Sequence, residues 1–516
     1  MTATATTAAA APSGFRTYTH RQILLVMSGL MLGLLMASLD QTIVSTALTT
    51  ISRDFHRPDL YSWVITSYLL ASTASTPLYG KISDLFGRKR IFQAAIVIFL
   101  IGSALSGLSQ NMYELIAFRG VQGLGAGGLI SLAMAIIGDV IPPRDRGRYQ
   151  GYFGAVFGAS SVLGPLIGGF FVDQASWRWV FYVNLPIGIV ALLVVNRVLH
   201  LDHFPSRAHI DWVGAALLVA GVGLLLVGVQ EAGQTASVTT SALAYGAAGL
   251  VLTIIFFLWE SRSPEPILPL RLFSDRVFTV ANLLAFVTGA VMFGAIIFLP
   301  QYMQTVRHVS PTMSGMRLLP LLGGMLFTSI GSGQIISRTG RYKAFVVAGT
   351  AITAVGFAML TQITIHTSFW LLSVIIFVAG AGLGMFMQTL VLAVQNSVQA
   401  KDMGVGTSTV TFFRNLGGAM GSAVLGAVLI DQEKTSVGHY IAQYGSVAGP
   451  LHAFTHGMDR AYLYAVPVAA VAFLLSFALR EVKLRDGSHA NPLGEGSPLP
   501  LAESAAAIST VGADGL

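Results

Sequence analysis

Long apolar runs alternate along this chain with short polar joints, and that alternation predicts nearly all of its secondary structure. The runs fall near 22–48, 61–80, 91–109, 112–139, 149–172, 178–199, 211–231 and 240–259, then near 276–302, 313–336, 344–362, 369–395, 404–431 and 460–480. A helix needs about 20 mostly apolar residues to cross the hydrocarbon core of a bilayer. The runs meet that length, so the pattern predicts fourteen membrane-spanning helices. An even count puts both ends of the chain on one side. The first run is too long for the core of a signal peptide and is expected to persist as a helix.

Composition agrees. Of 516 residues, 54% are hydrophobic and only 10% charged, against about 25% charged in ordinary soluble domains. Mean hydropathy is +0.70. The 56 glycines suit helices that approach closely in a membrane. The absence of cysteine excludes disulfides, thiol catalysis and iron–sulfur clusters. The net charge of +7 is scattered through short loops rather than gathered on one face, which argues against a nucleic-acid partner.

The scattered bases set orientation. Lys and Arg cluster in 81–90, 144–148, 197–210, 262–276 and 338–343, in alternate joints. The opposite side holds only Arg53, Arg57, Arg178, Arg307, Lys434 and Arg460. Both termini are therefore expected in the cytoplasm. An internal echo divides the chain further. Gly80, Ile82, Gly87 and Arg88 are matched by Gly333, Ile335, Gly340 and Arg341, while Gly125, Gly127, Asp145 and Gly147 are matched by Gly382, Gly384, Asp402 and Gly404. Repeated halves are common in secondary transporters. The expected organisation is a cytoplasmic tail (1–20), a six-helix half (21–200), a two-helix insert (201–262), a second six-helix half (263–482) and a second tail (483–516).

Within this frame a few residues stand out. The joint YGKISDLFGRKRIF, residues 79–92, places one acid, Asp84, among four bases. A positive-inside anchor accounts for the bases but leaves Asp84 unexplained. Asp40 sits inside the first run and Arg119 inside the fourth; an ionised group there calls for a partner or a task. Depth links them. Span 1 rises ~26 Å from Ile23 to Asp40, and span 4 descends ~10 Å from Met112 to Arg119, at ~1.5 Å per residue. Both then lie in the outer half of the membrane, and an Asp40–Arg119 pair is expected, direct or through Gln122 or water; a snorkelling Arg119 is the alternative. Gly123-Leu-Gly-Ala-Gly-Gly128 imitates a dinucleotide fingerprint, but it has no strand before it and lies inside a span, so close packing explains it better. Pro165 removes a backbone hydrogen bond within span 5 and invites a kink there. Arg414, ten residues into span 13, needs an acid, a carbonyl or a wet cavity. The stretch from Trp177 to Pro186 reads as an interfacial aromatic belt, and 432–459, with His439, His452 and His456, reads as a solvated outer loop.

The segment Gly80 to Arg90 resembles the loop between helices 2 and 3 of the major facilitator superfamily. Leu115-x-x-x-Arg119-x-x-Gln122-Gly123-x-Gly125 is similar to that superfamily's helix-4 motif, and Gly164-Pro165-x-x-Gly168-Gly169 to its antiporter-associated helix-5 motif, with Ser160 at the first glycine position. Leu39-Asp40-Gln41-Thr42 resembles the helix-1 motif of the fourteen-span drug:proton antiporters, although Ser45, Thr46 and Thr49 depart from it.

The resemblance implies an all-α polytopic membrane protein of the major facilitator fold, two six-helix halves plus two central helices. It implies that Asp40, Arg119 and Gln122 couple protons. Gly80, Asp84, Gly87 and Arg88 would form a conformational latch, with Asp84 on an arginine and on a helix N-terminus of the other half. Gly164, Pro165, Gly168 and Gly169 would kink helix 5, and Met36, Phe293, Phe386 and Arg414 are candidates for a substrate cavity. The implied function is proton-coupled efflux of amphipathic or cationic compounds across the cytoplasmic membrane by a monomer, without cofactor or metal. Export of a specific metabolite or lipid, or a non-transporting sensor, remain alternatives. The spans carry no HExxH, GxSxG or GxGD motif, so no enzyme is expected.

Overall fold

A computed structural model describes residues 20–57, 60–141, 143–199, 211–235, 239–399 and 402–484. The expected tails lie largely outside these segments. Among the described residues the regular structure is helical throughout, with no strand. In chain order the helices are α1 (His20–Asp54), α2 (Tyr61–Phe86), α3 (Arg88–Leu108), α4 (Met112–Val140), α5 (Pro143–Gln174), α6 (Trp179–Tyr182) and α7 (Asn184–Val198). Then come α8 (Trp212–Thr235), α9 (Thr240–Glu260), α10 (Arg276–Thr305), α11 (Pro311–Arg317), α12 (Leu319–Thr339), α13 (Lys343–Leu360), α14 (Phe369–Ser397) and α15 (Met403–Ala478). Nine of these, together with α6 and α7 taken as one span, are long and apolar enough to cross a membrane.

Local sequence explains where they begin and break. Asn111, Asp275, Ser310 and Ser368 each accept a hydrogen bond from a backbone N–H in the first turn of the helix that follows, satisfying donors that have no partner inside the helix. The run 313–336 is divided between α11 and α12 where Pro320 enters the first turn of α12, because proline has no N–H to continue a helix. At the two matched basic joints, Gly87 and Gly340 both take positive φ, +93° and +69°. An L side chain adopts that region at a cost, so glycine is needed in both joints.

The apolar interior falls into clusters that follow the chain. Residues of α1–α7 form two of them, around Leu34, Phe99 and Leu132 and around Ile43, Leu115 and Phe181. Residues from α10 to α15 form the other two. Ala215, Leu218, Val222 and Leu226 of α8 and Phe256 of α9 join the cluster containing Leu284, Leu390 and Val410, so α8 and α9 pack with α10, α14 and α15. Helix α4 is buried almost all round. A Cβ on Gly123 would meet the backbone of Tyr68, one on Gly125 that of Phe99, and one on Gly127 that of Ser72. The glycines that imitate a nucleotide motif thus allow α2 and α3 to touch α4 backbone to backbone.

The segment 432–459 differs from the solvated loop expected. Helix α15 runs for 76 residues with one non-helical residue, Gly445, at φ 82°. The chain therefore rises out of the membrane as helix, turns at Gly445 and returns as helix. The aromatic and imidazole rings explain the order: Tyr444 stacks on His452 with centroids 3.9 Å apart, and Tyr440 lies 5.9 Å from His452 and 5.8 Å from His456. Such ring pairs add roughly 0.5–1.5 kcal/mol each beyond their buried area. Burial, reinforced by Arg460, lowers the pKa of His456 below its usual value. The packed hairpin thus favours the neutral imidazole, a preference fully present above about pH 6.5 and lost as pH falls below it. Glu433 has its pKa raised by burial and acts in the opposite sense. The protection of amides between residues 436 and 456, relative to their intrinsic exchange rate at each pH, is expected to fall more steeply from pH 7.5 to 5.5 in the wild type than in His456→Gln, a comparison that isolates the histidine.

Candidate functional site

Asp40 lies in the middle of α1, where its carboxylate is fully buried. Buried charge at membrane depth demands donors, and three side chains supply them. Arg119 of α4 donates through Nη1 to Oδ2 at 2.5 Å. Gln122, one turn along α4, donates through Nε2 to Oδ1 at 2.8 Å. Asn184, the first residue of α7, donates to the same Oδ1 at 3.0 Å.

Further contacts around them hold these in place. Arg119 Nη1 also donates to Gln122 Oε1 at 2.8 Å, and its Nε reaches the Val64 carbonyl at 3.4 Å. Its guanidinium lies 4.2 Å from the centroid of the Tyr68 ring, a cation–π contact strengthened by desolvation. Tyr68 in turn donates to the Ala37 carbonyl on α1. Asn184 donates to Ser103 of α3, and Ser103 to the Phe181 carbonyl. Four helices therefore converge on one carboxylate. The structure brings Asp40, Arg119 and Gln122 together as their depth suggested, and it adds Asn184, Tyr68 and Ser103.

Asn184 corrects the belt reading of 177–186. Trp177 is 5% exposed and donates its indole N–H to Asp54, while Arg178 caps the Ser109 carbonyl. Trp179 and Pro186 are the exposed residues of this group, and the stretch serves chiefly to seat α6 and α7 on the core.

A second polar cluster joins the halves at the end that carries the basic joints. Asp84 accepts from the backbone N–H groups of Gly404 (3.3 Å) and Val405 (3.1 Å) at the start of α15. These are donors of a first helical turn, where the dipole also favours an anion. Arg88 pairs with Asp84 at 2.5 Å and with Asp139 of α4 at 2.8 Å. Gly80 is required because its Cβ would meet Ser408 and the Gly404 carbonyl. Nearby, Lys81 pairs with Glu265 at 2.8 Å, and Gln395 of α14 donates to the Met134 carbonyl of α4. Lys89 donates to the Asn196 carbonyl at the end of α7, leaving Arg90 as the exposed base of the joint. The matching joint at Tyr342 docks differently, on Arg480, Glu481 and Val482 of its own half.

The helix-5 residues meet α1. A Cβ on Gly164 would strike Thr42, and one on Gly168 would crowd Ile43 and Thr46; Thr42 donates to the Ser160 carbonyl at 2.9 Å. Gly169 is half-buried. The side chains of Pro165 and Phe293 lie outside the described residues. Met36 and Phe386 are both 0% exposed, packed in the clusters of opposite halves. Arg414 is half-buried in α15. Among the described residues no group of His, Asp or Glu has the arrangement of a metal site.

A carboxylate held by an arginine thus lies buried among helices of the first half, and a separate polar clamp ties α2 to the start of α15. Comparison with known proteins places it. Residues 30–422 match the Major Facilitator Superfamily. The chain belongs to that superfamily. The transporter is 40% identical over 505 residues to an uncharacterized MFS-type transporter of Mycobacterium tuberculosis, covering 93% of this chain and 73% of that one. It is 39% identical over 406 residues to the multidrug transporter protein MdtP of Bacillus subtilis, covering 78% and 75%. The solved proton:xylose symporter XylE shares its fold, with a TM-score of 0.65 at 15% identity, over 91% of this chain and 98% of that one. Relatives at 34–39% identity include ones named multidrug transporter, multidrug resistance protein and efflux pump, and the family points to transport rather than catalysis. The transporter is accordingly a multi-pass membrane protein.

Proposed function

We propose that the transporter exports amphipathic organic compounds across the cytoplasmic membrane in exchange for protons, as a monomer of fourteen spans with both termini in the cytoplasm. The observation that carries this reading is the fully buried Asp40 carboxylate, bonded to Arg119, Gln122 and Asn184. When a proton arrives from outside, Asp40 becomes neutral and its attraction to Arg119 falls away. Gln122 and the Tyr68 ring keep hold of the guanidinium. Asn184 Oδ1 is buried and without a partner among the described residues, so a half-turn of the amide lets it accept the new O–H. Loosening this cluster at the contact of α1, α4 and α7 favours the state open to the cytoplasm, where the proton leaves and cargo binds.

The clamp of Asp84 and Arg88 on the start of α15 holds the alternative state, closed towards the cytoplasm. The names of the relatives support organic cargo. The test is uptake into inverted membrane vesicles. An acid interior is expected to drive accumulation of a fluorescent amphipath, and a protonophore is expected to release it. Equal accumulation with and without the pH gradient counts against the reading.

A further inference from the structure

The chain treats its two mid-membrane arginines differently. Arg119 has a carboxylate, an amide oxygen, a carbonyl and an aromatic face around it. The Arg414 side chain makes no hydrogen bond, ion pair or ring contact with any described residue. It stands eleven residues beyond Met403 in α15, or ~17 Å at the α-helical rise, which is near the middle of a hydrocarbon core about 30 Å thick. The surrounding helix is in contact on several sides. In the turns before it, Val405, Val410 and Phe412 share a cluster against which Leu70 and Leu78 of α2, in the other half, are packed. One and two turns after it, Gly417 and Gly421 press their backbones on Phe286 and Ala290 of α10. Arg414 nevertheless keeps part of its surface open. An uncompensated guanidinium at this depth is expensive, and such residues face a pathway or a partner.

We propose that Arg414 recognises a carboxylate on the exported compound. This rests on the transporter reading and adds the charge of the cargo to it. A guanidinium presents a planar fork that matches a carboxylate through two parallel N–H···O bonds. Among the described residues no acid pairs with Arg414 to attract a cation, whereas the acid at Asp40 is already occupied by Arg119. The amphipathic cargo therefore carries an anionic group, and its apolar body lies between the halves beside α2 and α10. The cationic cargo implied by family resemblance has no counter-charge at this position.

The test measures binding by the full chain in lipid nanodiscs, at fixed pH and with no gradient. Its result is thereby independent of whether protons drive the cycle. The probes are a rhodamine bearing a free benzoate and the same dye as its methyl ester, read by fluorescence anisotropy. The wild type is expected to bind the acid at least about tenfold more tightly than the ester, the scale of one charged hydrogen-bonding pair. Arg414→Gln is expected to abolish that preference while leaving ester binding within about twofold, and Arg414→Lys to retain part of it. A wild type that binds the ester as well as the acid, or binds neither, overturns the proposal without any variant. So does an Arg414→Gln protein that keeps the preference or loses both dyes equally.

Discussion

Asp40→Asn is expected to abolish export driven by a pH gradient, a fall of about 100-fold or more, while substrate exchange without a gradient persists. The reasoning is electrostatic. Asparagine has nearly the shape of a protonated aspartic acid, so it keeps partners for Gln122 and Asn184, but it can neither bind nor release a proton. Removing one member of a buried ion pair costs roughly 3–5 kcal/mol because the other charge is left behind, and each 1.36 kcal/mol corresponds to a factor of ten. Here Gln122 Oε1, the Val64 carbonyl and the Tyr68 ring still surround Arg119, so the fold is expected to survive. Vesicles carrying the variant, loaded with labelled substrate, separate the two activities. Undiminished gradient-driven uptake by the variant would falsify the coupling role of Asp40.

Gly404→Val is expected to bias the transporter towards the state open at the basic joints and to slow transport by about tenfold or more. A Cβ at Gly404 would meet Asp84, Arg88 and the Gly80 carbonyl together. One of these neighbours is backbone, so the side chain has no room unless α2 and α15 separate. Separation removes the two N–H···O⁻ bonds of Asp84, each worth about 1.5–3 kcal/mol as a bond to a charged group. A shift of a few kcal/mol suffices to invert a two-state equilibrium. Asp84→Asn is a milder change, since one oxygen remains to accept. The chain has no cysteine, so Lys81→Cys with Glu265→Cys introduces the sole thiols, at a pair now 2.8 Å apart. A short bismaleimide is expected to join them readily in the parent and several-fold less in Gly404→Val. Equal cross-linking and equal transport in both would rule out the clamp.

The helices were legible because a bilayer imposes one length and one polarity on every crossing. The meeting of Asp40 and Arg119 was legible for a related reason: two opposite charges at one depth have few other partners. Asn184 was not, since an amide among aromatic residues reads equally as an interfacial anchor. The count of donors was the missed signal. A buried carboxylate takes more bonds than Arg119 and Gln122 provide, so another polar side chain of the first half had to reach it. Asp139 escaped for the converse reason, as Arg88 has five N–H donors and Asp84 does not occupy them. Lys81–Glu265 joins residues far apart in sequence with no motif around them, and nothing short of the fold reveals it. The hairpin at 432–459 was hidden by its lack of an apolar run. Its spacing was still informative, because Tyr440 and Tyr444, like His452 and His456, stand four apart, as residues on one face of a helix do.

That hairpin also makes the last two spans a single pointer. From Arg414 to the turn at Gly445 the chain is helical, a length of ~46 Å at the α-helical rise. Each degree by which this helix tilts sweeps the tip by ~0.8 Å. A dye or spin label at the tip therefore magnifies small rotations near Arg414, and a binding protein raised against the rings around Tyr440 is expected to slow transport from the face opposite the basic joints.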